Sequence, residues 1–127
     1  MERCFSSILV EDPDTSARFY ERLLGMTRHF ESGWFVILSH SDMPALELGL
    51  FAKDHSDVPV VARGRPAGVL LTFVVADCDD VYEIAQRMGA VIAEPPRDMA
   101  YGQRRMIVLD PDGAALDISA PTAPRTV

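Results

Sequence analysis

The sequence is poor in the side chains that build disulfides and metal centres. Its 127 residues include two cysteines and three histidines. Cys4 and Cys78 lie far apart, and neither belongs to a CxxC pair or to a Cys/His cluster with zinc-binding spacing. We therefore expect two reduced, structural thiols and no structural zinc site.

The sequence also lacks an excess of basic residues and any long apolar run. It has 12 Lys and Arg against 19 Asp and Glu, which gives a formal net charge of −7. Phosphate binding needs clustered basic side chains, so this charge favours a neutral or cationic small-molecule partner over nucleic acid. No apolar stretch approaches the roughly 20 residues that cross a bilayer, and the N-terminus does not resemble a secretory leader. We therefore predict a cytoplasmic protein with no membrane partner.

What the sequence does contain is a repeat. Residues 12–25 and 77–89 each begin with aspartate, end with glycine and follow an apolar run that ends in valine. The two aspartates are 65 residues apart and the two glycines 64 residues apart. Side-chain identity between the copies is low, so what recurs is a pattern of strand, helix cap, helix and glycine stop. Two such copies imply pairs of equivalent positions.

Hydrophobic periodicity and turn signals predict the same order of elements in both copies. Each helix begins after a capping aspartate, Asp12 or Asp77, and ends at Gly25 or Gly89. Residues 41–44 and the DPDG sequence at 110–113 are predicted turns, and the prolines at 95 and 96 are predicted to end the sixth strand. The predicted strands cover residues 4–10, 26–31, 34–39, 45–51, 69–75, 90–94, 104–109 and 114–119.

These elements predict an α+β fold made of two βαβββ modules. A chain of this length has room for a single domain, here residues 1–127. Module one covers about residues 1–51, a connection follows over about 52–67, and module two covers about 68–120.

Alternate residues of a strand point to opposite sides of the sheet. One side is predicted to pack against the helices, and the second side could form the floor of a pocket. On that second side the repeat pairs Phe5 with Leu70 and Glu47 with Asp117. Two carboxylates at paired positions are the most suggestive chemical feature of the sequence. The predicted pocket floor consists of Phe5, Ser7, Leu9, Ala45, Glu47, Gly49, Leu70, Thr72, Val74, Ala115, Asp117 and Ser119.

Several motifs occur together in an order that is familiar. They are a first strand ending in ValxAsp, FYxxLLG at 19–25, ALEL at 45–48, the second strand–Asp–helix–Gly unit, and DPDG followed by LDI. In this order they resemble the vicinal oxygen chelate superfamily, which includes glyoxalase I, extradiol dioxygenases and the fosfomycin and bleomycin resistance proteins. The resemblance implies a curved, mixed eight-stranded sheet around a cavity, usually in a homodimer.

In metal-dependent members of that superfamily, the ligands come from the first and fourth strands of each module. The resemblance places these positions at Phe5, Glu47, Leu70 and Asp117. Phenylalanine and leucine cannot bind a metal, and the histidines lie outside the motif positions. We therefore expect no metal and no cofactor, with Glu47 and Asp117 as residual candidates for oxygen-coordinated Mg or Mn.

Two further groups are candidate ligand contacts. Trp34, with Phe30 and Phe35, forms either an aromatic wall for a planar ligand or part of the core. Met99, Tyr101 and Gln103 precede the seventh strand, in a segment where the resemblance implies a loop that closes on the ligand, and an ordinary surface loop is the alternative. The predicted ligand-binding residues are Phe5, Trp34, Glu47, Leu70, Thr72, Met99, Tyr101, Gln103 and Asp117.

The favoured function is metal-independent binding of an aromatic or cationic small molecule, similar to the bleomycin resistance branch, in which a toxic compound is sequestered without chemistry. No catalytic residue is assigned. The alternative is an enzyme of the lyase, isomerase or dioxygenase kind that uses Glu47 or Asp117 as a base or weak metal ligand. A third interpretation is an interaction module with a vestigial pocket.

Overall fold

The computed structural model of the chain describes residues 1–122. Within this range the chain forms eight strands, two α-helices and a short 3-10 helix, and it divides into two compact units at the Ala67–Gly68 bond. The elements of unit 1 are β1 (Ser6–Val10), α1 (Pro13–Leu24), β2 (Thr27–Glu31), β3 (Phe35–His40), β4 (Met43–Ala52) and the 3-10 helix Val60–Ala62. Those of unit 2 are β5 (Leu70–Val74), α2 (Cys78–Met88), β6 (Val91–Asp98), β7 (Gln103–Leu109) and β8 (Ala115–Pro121).

Each unit contains one mixed four-stranded sheet. The strand order is β1-β4-β3-β2 in unit 1 and β5-β8-β7-β6 in unit 2. The first and fourth strands of each unit pair in parallel, and the other neighbours are antiparallel. The predicted α+β class and the βαβββ order, present twice, are confirmed.

Both helices have the predicted start and stop. Asp12 Oδ1 accepts a hydrogen bond from the Asp14 amide at 3.3 Å, and Asp77 Oδ1 accepts from the Asp79 amide at 2.9 Å. These bonds satisfy donors at the first turn, where no intrahelical partner exists. At the other end, Gly25 and Gly89 adopt the left-handed conformation that ends a helix. No helix among residues 1–122 is long and apolar enough to span a membrane.

Each helix packs its apolar stripe on one side of its own sheet. In α1 that stripe is built on Ala17, Tyr20 and Leu23, and in α2 on Val81 and Ala85. The sheet residues that are buried with these stripes include Ile8, Val10, Leu48, Leu50, Met106, Val108, Leu116 and Ile118. We call the opposite side of each sheet its open face.

One predicted turn and one predicted strand end are partly strand. Residues 43 and 44 belong to β4, because the Asp42 amide donates to His40 Nδ1 at 3.0 Å and the chain turns within residues 41 and 42. The prolines at 95 and 96 do not end β6, which continues to Asp98 with irregular pairing between Glu94 and Arg97. β6 lies at the edge of its sheet, so no strand pairs with its outer side. A proline whose nitrogen faces that side therefore removes no hydrogen bond between strands.

Candidate functional site

The strand register shows which open-face positions are equivalent in the two units. Ser7 lies beside Gly49 in unit 1, and Thr72, 65 residues after Ser7, lies beside Asp117 in unit 2. The first-unit counterpart of Asp117 is therefore Gly49, and the prediction that Glu47 and Asp117 are equivalent is wrong. From Ser7 to Gly49 the chain advances 42 residues and from Thr72 to Asp117 it advances 45, so the segment between the first and fourth strands is three residues longer in unit 2.

Glu47 is bound by an arginine. Arg3 Nε donates to Glu47 Oε2 at 2.7 Å and Arg3 Nη2 donates to Oε1 at 2.5 Å, a bidentate pair. The Glu47 side chain is 10% exposed and the Arg3 side chain 52% exposed. The Arg3 guanidinium carbon also lies 4.9 Å from the centre of the Phe5 ring, and His29 Nε2 lies 3.8 Å from Glu47 Oε1.

This contact sets the charge state of Glu47. The hydrogen bond from Arg3 lowers the pKa of Glu47 below its ordinary value, with partial opposition from burial and support from the positive potential of Arg3 and His29. The same bond raises the pKa of Arg3. The pair is therefore fully ionised near neutral pH.

Next to this pair, the open face of unit 1 carries connected aromatic rings, which we call the aromatic surface. Trp34 stacks on His55 with ring centres 4.1 Å apart and an interplanar angle of 15°. Phe35 lies 5.2 Å from Phe51 and 6.4 Å from Phe5, centre to centre. The members are Phe5, Phe30, Trp34, Phe35, Phe51 and His55. Phe30 is 48% exposed and Trp34 37% exposed, so the surface is open to a planar ligand.

Gly49 lies beneath this surface, against Ser7 and the Phe35 ring. A Cβ atom placed at Gly49 would overlap Ser7 Oγ and would lie 3.0 Å from Cε1 of Phe35. Close packing therefore favours glycine at this strand position, where its φ angle is not in the left-handed region.

Unit 2 has a polar open face. Asp117 is 7% exposed and accepts hydrogen bonds from Ser119 Oγ at 2.5 Å and from Thr72 Oγ1 at 3.3 Å. Leu70 and Val74 are exposed on the same face, to either side of Thr72. The structure thus places Asp117 with Thr72, as neighbours on adjacent strands.

Met99 and Tyr101 belong to the β6–β7 connection, and Gln103 is the first residue of β7. The Met99 amide donates to the Gln103 carbonyl at 2.7 Å, and Tyr101 is exposed at the tip of this turn. Gln103 Oε1 is buried and has no hydrogen-bond partner among the described residues. On the same face, Arg105 Nη2 donates to Glu94 at 3.2 Å, so this cation is paired within its own sheet.

A cavity of about 330 Å³ lies elsewhere on unit 2, at the start of α2. None of the predicted ligand-binding residues lines it. Its principal cation, Arg104, is held by Asp79 and Asp98 at 3.1 and 3.0 Å. The cavity is lined by Ala76, Asp77, Cys78, Asp98, Arg104, Ala120, Pro121 and Thr122.

The positions that the resemblance assigns to metal ligands do not fit a metal centre. Phe5 and Leu70 offer no donor atom, and both oxygens of Glu47 are engaged by Arg3. Both oxygens of Asp117 accept from hydroxyl groups. In the part of the chain that the structure describes, no group of three or more His, Cys, Asp or Glu side chains is placed to hold an ion.

Three site residues escaped sequence reasoning, namely Arg3, His29 and His55. A signal existed for Arg3, since it lies two residues before Phe5 and strand alternation extended toward the N-terminus puts both on one face. His29 sits at an irregularity in the β2–β3 pairing, between Arg28 and Phe30, so simple alternation does not place it. His55 follows β4, and only the folded chain brings it to Trp34.

Comparison with known proteins agrees with this architecture. Residues 4–118 match the model of the family described as Glyoxalase/Bleomycin resistance protein/Dioxygenase superfamily. No curated protein matches the chain.

Solved structures include relatives of nearly the same length. A protein from the mobile metagenome of V. Pseudocholerae is 27% identical, with a TM-score of 0.73 and coverage of 94% of both chains. A virulence protein from Salmonella typhimurium is 26% identical, with a TM-score of 0.74 and coverage of 95% of this chain and 98% of that one. A glyoxalase/bleomycin resistance protein/dioxygenase family enzyme from Burkholderia phytofirmans PsJN is 19% identical, with a TM-score of 0.79 and coverage of 92% and 96%. At 19% identity the likeness shows the fold alone.

Proposed function

Because the chain belongs to the glyoxalase/bleomycin resistance protein/dioxygenase superfamily, we propose that it binds an aromatic small molecule on the aromatic surface of unit 1 and sequesters it without a metal. The superfamily name covers both resistance proteins and enzymes, so membership does not choose between binding and catalysis. The choice rests on the side chains of this chain.

One observation carries the proposal: Trp34 and Phe30 are partly exposed members of a connected set of rings beside a fully ionised pair. A planar ligand that covers these rings gains apolar burial and offset stacking. The Arg3–Glu47 pair at the border supplies polar groups that orient the ligand. This combination is typical of a small-molecule site.

The same pair disfavours general-base catalysis by Glu47. A general base works best when its pKa lies near the operating pH. The hydrogen bond from Arg3 moves the pKa of Glu47 in the opposite direction, to below its ordinary value. Both of its oxygens also accept from Arg3, which stabilises the ionised carboxylate and so opposes uptake of a substrate proton.

Trp34 provides the test, because it is the only tryptophan of the chain. Planar aromatic compounds of different charge are titrated into the protein while the Trp34 emission is followed, and calorimetry gives the affinity. Saturable quenching is expected, and Trp34→Ala should lower the calorimetric affinity about tenfold, as expected for loss of one stacking partner.

Phe19→Leu is the matched control, since Phe19 is a partly buried ring on α1 that contacts Tyr20 on the helix side of the sheet. It should leave affinity unchanged. Equal loss of affinity in the two variants, or no saturable binding of any planar compound, would refute the proposal.

The homodimer that the resemblance implies remains part of this proposal. Light scattering on the purified chain measures its mass directly. A mass near twice 14.0 kDa is expected, and a mass near 14.0 kDa at all concentrations would contradict the dimer.

A further inference from the structure

Arg3 contacts Glu47 as a ligand would. Its guanidinium donates two parallel hydrogen bonds to one carboxylate, at 2.7 and 2.5 Å, and lies 4.9 Å from the centre of the Phe5 ring. A carboxylate that accepts in bidentate fashion, beside an aromatic face, is the arrangement that recognises a planar cation. Glu47 and Phe5 together contact the Arg3 guanidinium in this way.

The two charged partners of this contact lie in different parts of the fold. Arg3 precedes the first residue of β1, Ser6, and half of its side chain is exposed. Glu47, in contrast, belongs to β4, and part of the cover over its carboxylate comes from Arg3 itself. The carboxylate is thus carried by a strand of the sheet, whereas its cation is carried by a segment that precedes the first strand.

The Glu47 carboxylate presents both oxygens to one planar cation beside the Phe5 ring. If Arg3 moves away, another planar cation can form the same two hydrogen bonds. The aromatic surface begins at Phe5, so a ring attached to that cation would come to lie on it.

We infer that Glu47 and Phe5 form a receptor for an amidinium or guanidinium group, which Arg3 fills in the free chain and an aromatic ligand's own planar cation fills in the complex. This inference rests on the proposed binding function and names its ligand class, an aryl amidine or aryl guanidine. Arg3 then competes with the ligand's cation for Glu47 and so weakens the binding of simple cations.

The test compares benzamidine with benzamide, which have the same ring and nearly the same shape but differ in charge. Calorimetry is carried out on the wild type, Arg3→Ala, Arg3→Lys and the double variant Arg3→Ala/Glu47→Gln. Arg3→Ala should bind benzamidine at least about tenfold more tightly than the wild type does. A tenfold change in affinity corresponds to the free energy of one charge-assisted hydrogen bond. Benzamide affinity should change little, and the double variant should lose the preference for benzamidine.

Two variants serve as controls. Arg3→Lys keeps the positive charge but cannot form the bidentate contact, so its benzamidine affinity should fall between those of the wild type and Arg3→Ala. Arg18→Ala removes another exposed arginine, one paired with Asp14 on α1, and should bind both compounds as the wild type does.

The outcomes separate this inference from the function on which it rests. If Arg3→Ala binds benzamidine and benzamide equally, and Trp34→Ala weakens both, the receptor is refuted while aromatic binding stands. The pair then only anchors the N-terminal segment to the sheet. If no variant binds either compound and the planar compounds also fail, both proposals are refuted.

Discussion

The helix of unit 1 begins at Asp12 with φ −139° and ψ 109°, and that of unit 2 at Asp77 with φ −143° and ψ 112°. The helices end at Gly25 with φ 68° and at Gly89 with φ 70°. These values agree within a few degrees although the side chains between them differ. The entry and exit of each helix are fixed by the backbone requirements of a βαβ connection, so this part of the repeat is conserved between the units in geometry.

The open faces of the two units differ in the side chains that they present. At the position beside the first strand, unit 1 has Gly49 under an aromatic ring, and unit 2 has the buried carboxylate of Asp117 under two hydroxyls. Unit 1 thereby presents rings with one ionised pair, and unit 2 presents polar groups between exposed aliphatic residues. The two units therefore share the helix side of the sheet and differ on the open side.

The largest expected effect concerns the helix side of each sheet, which the two units share. Leu50 and Ile118 occupy equivalent, fully buried positions in β4 and β8. Replacement of either by alanine should lower the free energy of unfolding by about 2–5 kcal/mol, through lost burial and a residual cavity. Urea denaturation of both variants measures this loss. A loss below about 1 kcal/mol in one of them would show that the two helix sides are not equally packed.

The next largest effect on stability concerns the open face of unit 1. Gly49→Ala should destabilise the chain by about 1–3 kcal/mol, because the new methyl group overlaps Ser7 and crowds Phe35. Gly33→Ala is the control, since no atom lies within 4 Å of a Cβ at that position. Equal urea midpoints for the two variants would mean that Ser7 and Phe35 move aside freely, and that the packing of the aromatic surface does not depend on Gly49.

A smaller effect tests the caps. Asp12→Ala and Asp77→Ala should each reduce the free energy of unfolding by about 1 kcal/mol, because each removes the acceptor for first-turn donors. Asp12→Asn and Asp77→Asn keep an acceptor and should cost less. Thermal denaturation of the four variants measures the differences, and an aspartate whose alanine variant melts like the wild type would not be an effective cap.

Local signals made the scaffold predictable. A side-chain cap such as Asp77, a left-handed stop such as Gly89 and an alternating strand are each determined by residues close in sequence. The DPDG turn is a further case, since Asp110 Oδ1 accepts from the amides of Asp112 and Ala114 at 2.9 Å. The edge position of β6, which permits Pro95 and Pro96, depends on strand order and could not be derived locally.

The site was less predictable because its contacts join distant residues. Glu47 was found from its strand face, but its partner Arg3 is 44 residues away. Glu47 and Asp117 are not equivalent because the segments before the fourth strands differ in length. Only the strand register reveals this, since Ser7 pairs with Gly49 and Thr72 pairs with Asp117. The stacking of His55 on Trp34 likewise joins a loop to a hairpin.

The smallest expected effect concerns the ionised pair itself, which is specific to unit 1. Exposed pairs contribute little to stability, so the sensitive measurement is the titration of Glu47 followed by side-chain NMR. Its pKa should lie below the ordinary value in the wild type and rise in Arg3→Ala, because the hydrogen bond from Arg3 is the main cause of the lowering. Arg18→Ala should leave the titration unchanged.

The sign of the pH dependence follows from that lowering. Since the pKa of Glu47 is depressed in the folded chain, its pairing stabilises the fold at pH values above the ordinary pKa of a glutamate, and this stabilisation is lost as the pH falls through the folded-state pKa. The wild type should therefore melt above Arg3→Ala near neutral pH, and the two melting temperatures should converge in acid. A difference that is constant across this range would show that Arg3 acts through packing on Phe5, and unit 1 would then lack the ionic feature that distinguishes it from unit 2.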